Sequence, residues 1–137
     1  GKPLLADAPG WDFNLSHSGD FVVVAVRKGA VGVDLEQIRG VREMGRLVER
    51  YFHMDEVSAW QRLAEPLKLE GFFKLWTARE AAMKCAGLGL ARGLAQTRVD
   101  PAYLSLGSAH AEVGPAMMRV IYLPVLDGYV MTLAVGL

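Results

Sequence analysis

The sequence predicts an α+β domain in which one long helix packs on an antiparallel sheet, and three stretches carry that expectation. Residues 67–86 hold an apolar helical pattern closed by Gly87, the residue type that ends helices in the left-handed conformation. Residues 21–36 are rich in Val and Ala around a break at Lys28-Gly29, the texture of buried strands. From Gly89 onward, short apolar runs alternate with Gly, Pro and Asp, the punctuation of a β region.

Taken in order, residues 1–12 are expected to be an irregular lead-in, because Pro3, Pro9 and Gly10 interrupt any period. Residues 13–18 read as a short strand entering a polar turn, and residues 21–27 as a second strand. Lys28-Gly29 is then expected to make a hairpin turn into a strand over 31–36. Helices are expected over 42–51 and 54–63, a linker around Pro66, and the long helix over 67–86. Beyond it, residues 97–99, 103–106, 117–123 and 129–135 are candidate strands. One internal echo stands out: Gly19-Asp20-Phe21 and Asp127-Gly128-Tyr129 each place a turn and an aromatic before an apolar strand ending Ala-Val.

A chain of 137 residues fits one domain with a real core. Its 15 Lys and Arg balance 15 Asp and Glu, which argues against a general nucleic-acid binder and makes any attraction to an acidic partner local. The single Cys85 excludes an internal disulfide and fits a small buried side chain at the helix end. No run of apolar residues reaches membrane-spanning length, and the expectation is a soluble, cytoplasmic protein without a membrane partner.

The chemistry concentrates in two segments. In Trp76-Thr77-Ala78-Arg79-Glu80-Ala81-Ala82-Met83-Lys84, helical spacing puts Trp76, Glu80 and Lys84 on one face. In Val31-Gly32-Val33-Asp34-Leu35-Glu36, strand alternation sends Asp34 and Glu36 to one side. Converging Asp34, Glu36 and Glu80 would make a hard-cation site. Each segment alone has an ordinary reading: Asp34 and Glu36 as a solvated strand face, and Glu80 with Lys84 as a surface pair worth about 0.3–0.5 kcal/mol. Trp76 is assigned to the core.

Together with Asn14-Leu15-Ser16-His17-Ser18, these segments resemble the three signatures of 4'-phosphopantetheinyl transferases, in the order of the surfactin-synthetase-activating type. That resemblance implies half of a pseudo-dimer of two similar α+β repeats, with residues 1–28 ending a first, mostly absent repeat and residues 29–137 forming the second. It implies Mg²⁺-dependent transfer of phosphopantetheine from coenzyme A to a serine of an acyl, peptidyl or aryl carrier protein, releasing adenosine 3',5'-bisphosphate. Asp34, Glu36 and Glu80 would ligate Mg²⁺, since that ion takes oxygen ligands and retains waters. Glu80 would act as base and Lys84 would stabilise the leaving group, while Lys2, Ser16, His17 and Lys84 would contact coenzyme A.

Two departures from the family pattern matter. Arg79 stands where the family usually has Lys, and few residues precede the Ser-His-Ser strand. The absent repeat would cover Leu15 and Val22 to Val26, so either the chain is a fragment of a longer protein of this type or a second copy supplies the missing surface by self-association through these strands. Arg39, Arg42, Arg46 and Arg50 recur at helical spacing, and Arg42 and Arg46 are candidates for docking an acidic carrier protein. Two other functions stay open at this point: a non-catalytic fragment that binds coenzyme A or a carrier protein, and an interaction domain whose carboxylates are surface groups.

Overall fold

The computed structural model describes residues 8–89 and 93–137. A hairpin of β1 (Trp11–Ser18) and β2 (Phe21–Lys28) forms its own two-stranded sheet. Strand β3 (Val31–Gln37) leads into helices α1 (Met44–Tyr51), α2 (Met54–Gln61) and α3 (Glu65–Ala86). A 3₁₀ turn (Leu94–Gln96), β4 (Thr97–Val99), a one-turn helix α4 (Tyr103–Leu106), β5 (Ser108–Val113), β6 (Ala116–Tyr122) and β7 (Tyr129–Gly136) follow. Strands β3 to β7 form an antiparallel five-stranded sheet ordered β3-β7-β6-β5-β4, with α3 packed across it. Among the described residues no helix is long and apolar enough to cross a membrane.

Helix α3 starts two residues earlier than its pattern implies, because Pro66 sits in its first turn, where no backbone N–H is required. It stops at Gly87, whose φ of 76° is the left-handed cap expected there. Its buried side, including Phe73, Leu75, Ala78 and Ala82, joins Val99, Tyr103, Val120, Val130 and Ala134 in the main core. At Gly32 on β3 strand and helix approach closely: a Cβ there would lie 2.6 Å from the Cys85 backbone nitrogen. A side chain in that position would push α3 off the strand.

Three sequence expectations are corrected. Residues 103–106 form a helix, not a strand, because the Asp100 carboxylate accepts from the Ala102 N–H at 2.9 Å and Gly107, at φ 69°, ends the turn. Strand β5 was not anticipated; its inward residues Ala109 and Ala111 are too small to announce a strand. Lys28-Gly29 does not close a hairpin, since β2 pairs with β1 and β3 pairs with β7.

What joins the hairpin to β3 instead is a ladder of side chains. As the edge of its sheet, β3 directs alternate N–H groups outward, and polar side chains of β1 accept them. Val31 N–H donates to Asp12 Oδ2 at 3.0 Å, Val33 N–H to Asn14 Oδ1 at 2.9 Å, Leu35 N–H to Ser16 Oγ at 3.0 Å and Gln37 N–H to Ser18 Oγ at 2.9 Å. Every rung spans 19 residues, so the strands run parallel in fixed register. This accounts for the buried Asp12, Asn14 and Ser16: a buried polar group needs a partner, and here each is the partner. The inner face of β2, with Val23 and Ala25, packs on Val33, Leu35 and Met131. The two echoed segments meet, with the Phe21 ring edge-on to Tyr129 at 5.2 Å.

Candidate active site

The seating of α3 on Gly32 turns the next residues on that strand face, Asp34 and Glu36, toward Glu80 and Lys84. The Lys84 ammonium lies between backbone and carboxylate, donating to Val33 O at 2.9 Å, Leu15 O at 3.2 Å and Asp34 Oδ1 at 3.5 Å. It therefore ties β1, β3 and α3 at one point. Ser16 Oγ also donates to Asp34 Oδ1, at 3.3 Å. Glu36 is braced from the other side by Arg39, 3.1 Å from its Oε2.

Asp34 is 7% exposed, and burial pushes its carboxyl up to about 7; Lys84 opposes the shift, while Glu80 and Glu36 add to it. Burial also raises Glu80, against Lys84 and with Glu36. The carboxylates thus sense one another's charge, with one ammonium among them. Asp34 Oδ2 is buried and has no hydrogen-bond partner among the described residues. Among those residues no group of three His, Cys, Asp or Glu is drawn close enough to hold an ion. The donor chemistry, an unpartnered buried carboxylate oxygen beside two further carboxylates, is nevertheless of the all-oxygen kind that suits Mg²⁺.

The other expected residues divide. Ser16 is buried and its hydroxyl is committed to Leu35 and Asp34, whereas His17 is exposed on the outer face of β1. Lys2 lies outside the described residues. Arg39, Arg42, Arg46 and Arg50 do not form one helical stripe, because α1 begins only at Met44 after Glu43 at φ 54°. Arg42 lies in the preceding turn, Arg46 pairs with Glu43 at 3.5 Å, and Arg39 is engaged with Glu36. Trp76 stacks on Phe72 in the helical core, as assigned.

Sequence reasoning missed the polar groups beneath this site. Arg79 and Glu56, 1% and 0% exposed, form a buried ion pair joining α3 to α2. The second arm of the guanidinium donates to Thr97 O at 2.6 Å, and Glu56 accepts the Val99 N–H at 3.3 Å, so the pair also holds β4. A planar fork serves these two directions at once, which gives the Arg in place of Lys a structural reason. Thr77, Thr132 and Tyr103 form a second buried network, with hydroxyl separations of 2.8 and 2.6 Å. An Arg beside the site Glu in sequence was the one hint of the ion pair.

Fold and site define a class: an α+β protein that gathers carboxylates and an ammonium where a long helix crosses an edge strand. The family model of the 4'-phosphopantetheinyl transferase superfamily matches residues 30–134, and the chain belongs to that superfamily. It is 41% identical over 96 residues to 4'-phosphopantetheinyl transferase psf-1 of Bacillus pumilus, covering 69% of this chain and 40% of that protein. With 4'-phosphopantetheinyl transferase HetI of a Nostoc species it shares 35% identity over 117 residues, 80% of this chain and 49% of the relative. With Sfp of Bacillus subtilis the identity is 31% over 90 residues, 66% and 39% of the two chains. The chain thus spans less than half the length of each of these relatives.

Proposed function

We propose that this chain carries the metal-binding and catalytic half of an enzyme that transfers 4'-phosphopantetheine from coenzyme A to a carrier-protein serine. The reading rests on family membership and on one observation above all: the buried, unpartnered Asp34 Oδ2 beside Glu36, Glu80 and Lys84. Asp34, Glu36 and Glu80 would hold Mg²⁺. When bound, the ion would neutralise charge on the pyrophosphate of coenzyme A.

The chain's own residues have these roles. Glu80, directly or through a water, accepts the proton of the carrier serine hydroxyl. The serine oxygen bonds to the phosphorus that bears pantetheine as the pyrophosphate P–O bond breaks, and adenosine 3',5'-bisphosphate departs with the bonding electrons. Lys84, fixed by Leu15 O and Val33 O, presents its positive charge to that leaving group. His17 and Lys2 would contact the coenzyme A phosphates. The Ser16 hydroxyl already donates its hydrogen bond to Asp34, so a contact of Ser16 with coenzyme A falls to its backbone. Residues 1–28 read as the end of a first repeat and 29–137 as the second. Exposed Arg42 and Arg46 dock an acyl, peptidyl or aryl carrier protein.

Thermal unfolding with coenzyme A and Mg²⁺, singly and together, tests this. A ligand that binds only the folded state adds about 2.7 kcal/mol at a concentration near 100 Kd. The expected result is a rise in Tm that needs both ligands, vanishes in Asp34→Ala and persists when Arg42 and Arg46 are reversed to Glu. The reversal should raise the KM for carrier protein alone. No shift at millimolar ligand would sink the assignment for this chain; a shift without transfer to a carrier serine would reduce it to a binding fragment.

A further inference from the structure

We propose that Ser16 is a positioning residue whose hydroxyl sets the rotation of the Asp34 carboxylate and so leaves Oδ2 as the oxygen presented to a cation. The proposal rests on the reading of Asp34, Glu36 and Glu80 as metal ligands. A serine hydroxyl has one proton and two acceptor lone pairs. The Leu35 N–H, which only donates, meets Ser16 Oγ at 3.0 Å, so the hydroxyl accepts there. Its own proton goes to Asp34 Oδ1 at 3.3 Å. The chain from Leu35 N–H through Ser16 O–H to Asp34 Oδ1 therefore runs in one direction only.

Lys84 Nζ approaches the same Oδ1 at 3.5 Å, while Oδ2 is buried without a partner among the described residues. Turning the carboxylate would exchange a doubly served oxygen for an orphaned one, so its orientation is held. Ser16 cannot drift to follow it, because it is 8% exposed and flanked along β1 by the rungs of Asn14 and Ser18. The ladder thus does two things at this rung: it satisfies an edge N–H of β3 and aims a side chain on the same strand. Ser18 supplies the internal control, since it makes the same kind of bond to the Gln37 N–H at 2.9 Å and serves as a rung alone. Groups that orient ligating carboxylates typically change metal affinity by roughly 10–100-fold when removed.

The test is Mn²⁺ binding to the intact 137-residue chain, followed by electron paramagnetic resonance, for wild type, Ser16→Ala, Ser16→Thr and Ser18→Ala. Ser16→Ala should weaken Mn²⁺ binding about 10-fold or more. Ser16→Thr, which keeps the hydroxyl, and Ser18→Ala, which loses only a rung, should bind close to wild type. Wild-type affinity in Ser16→Ala, or an equal loss in Ser18→Ala, would overturn the positioning role. If wild type binds no Mn²⁺, the ligand reading fails by itself, and crystal structures of wild type and Ser16→Ala decide the rest. An Asp34 carboxylate turned in the variant supports the role of Ser16, and one that keeps its orientation overturns it.

Discussion

At the scale of single residues, Asp34 concentrates the conflict between stability and function. Its ordinary carboxyl value of 3.8 rises to about 7 in the folded chain, first through burial and then through Glu80 and Glu36. Between those values the folded state binds a proton that the unfolded state releases. Asp34 therefore favours folding fully below about pH 4, and that contribution is lost as pH rises through about 7. In the presence of a chelator, Asp34→Asn should match wild type near pH 4 and exceed it at pH 7, by a margin on the order of a few kcal/mol. Urea midpoints across that range read the margin directly; a difference independent of pH would show that Asp34 titrates normally. Arg79 and Glu56 differ in kind: each buried charge faces an opposite one, although Arg79 Nε, like Asp34 Oδ2, is buried without a hydrogen-bond partner among the described residues.

At the scale of elements, the contact of β3 with α3 decides whether the site exists. Gly32 lets the helix approach until its backbone occupies the volume of a side chain, and backbone cannot swing aside as a flexible side chain would. Gly32→Ala should cost about 1–3 kcal/mol or more of stability, the usual range for overpacking. It should also abolish the joint coenzyme A and Mg²⁺ thermal shift, because moving α3 separates Glu80 and Lys84 from Asp34. Wild-type stability in that variant would mean that the helix is not seated as described. The same contact explains why the Gly of Gly32-Val33-Asp34 belongs to the site although it offers no side chain. The β1 ladder acts at this scale too: Lys84 reaches Leu15 O only because the rungs hold β1 beside β3 in fixed register.

At the scale of the whole molecule, β1 turns its polar side chains inward, and the outer face of the hairpin is apolar. The pairing of Leu15 with Val24 and His17 with Val22 puts Trp11, Leu15, Val22, Val24 and Val26 on one exposed face, with Val22 70% accessible. A contiguous apolar strand face of this kind favours association. In sedimentation at micromolar concentration the chain should self-associate. Val22→Lys with Val24→Lys should release folded monomers whose Tm no longer depends on protein concentration, since both side chains lie in solvent in the single chain. A wild-type chain that sediments as a monomer throughout would refute this.

The long helix, its stop at Gly87, strands β3, β6 and β7, and the residues of the candidate site were legible because local rules govern them. Helical spacing aligns Glu80 with Lys84, strand alternation aligns Asp34 with Glu36, and a left-handed stop calls for Gly. The one-turn helix at Tyr103, the strand at Ser108, the side-chain ladder and the Arg79–Glu56 pair were not legible, for one shared reason. Each depends on what lies opposite in space: Asp12, Asn14 and Ser16 look like solvent residues until β3 presents bare N–H groups to them. By itself the sequence determined which charged groups share a strand face or a helix face, since residue type and spacing are local properties. Only the tertiary structure decided which oxygen of Asp34 is left free and which face of the hairpin is left bare, because hydrogen-bond partners and burial are set by segments distant along the chain.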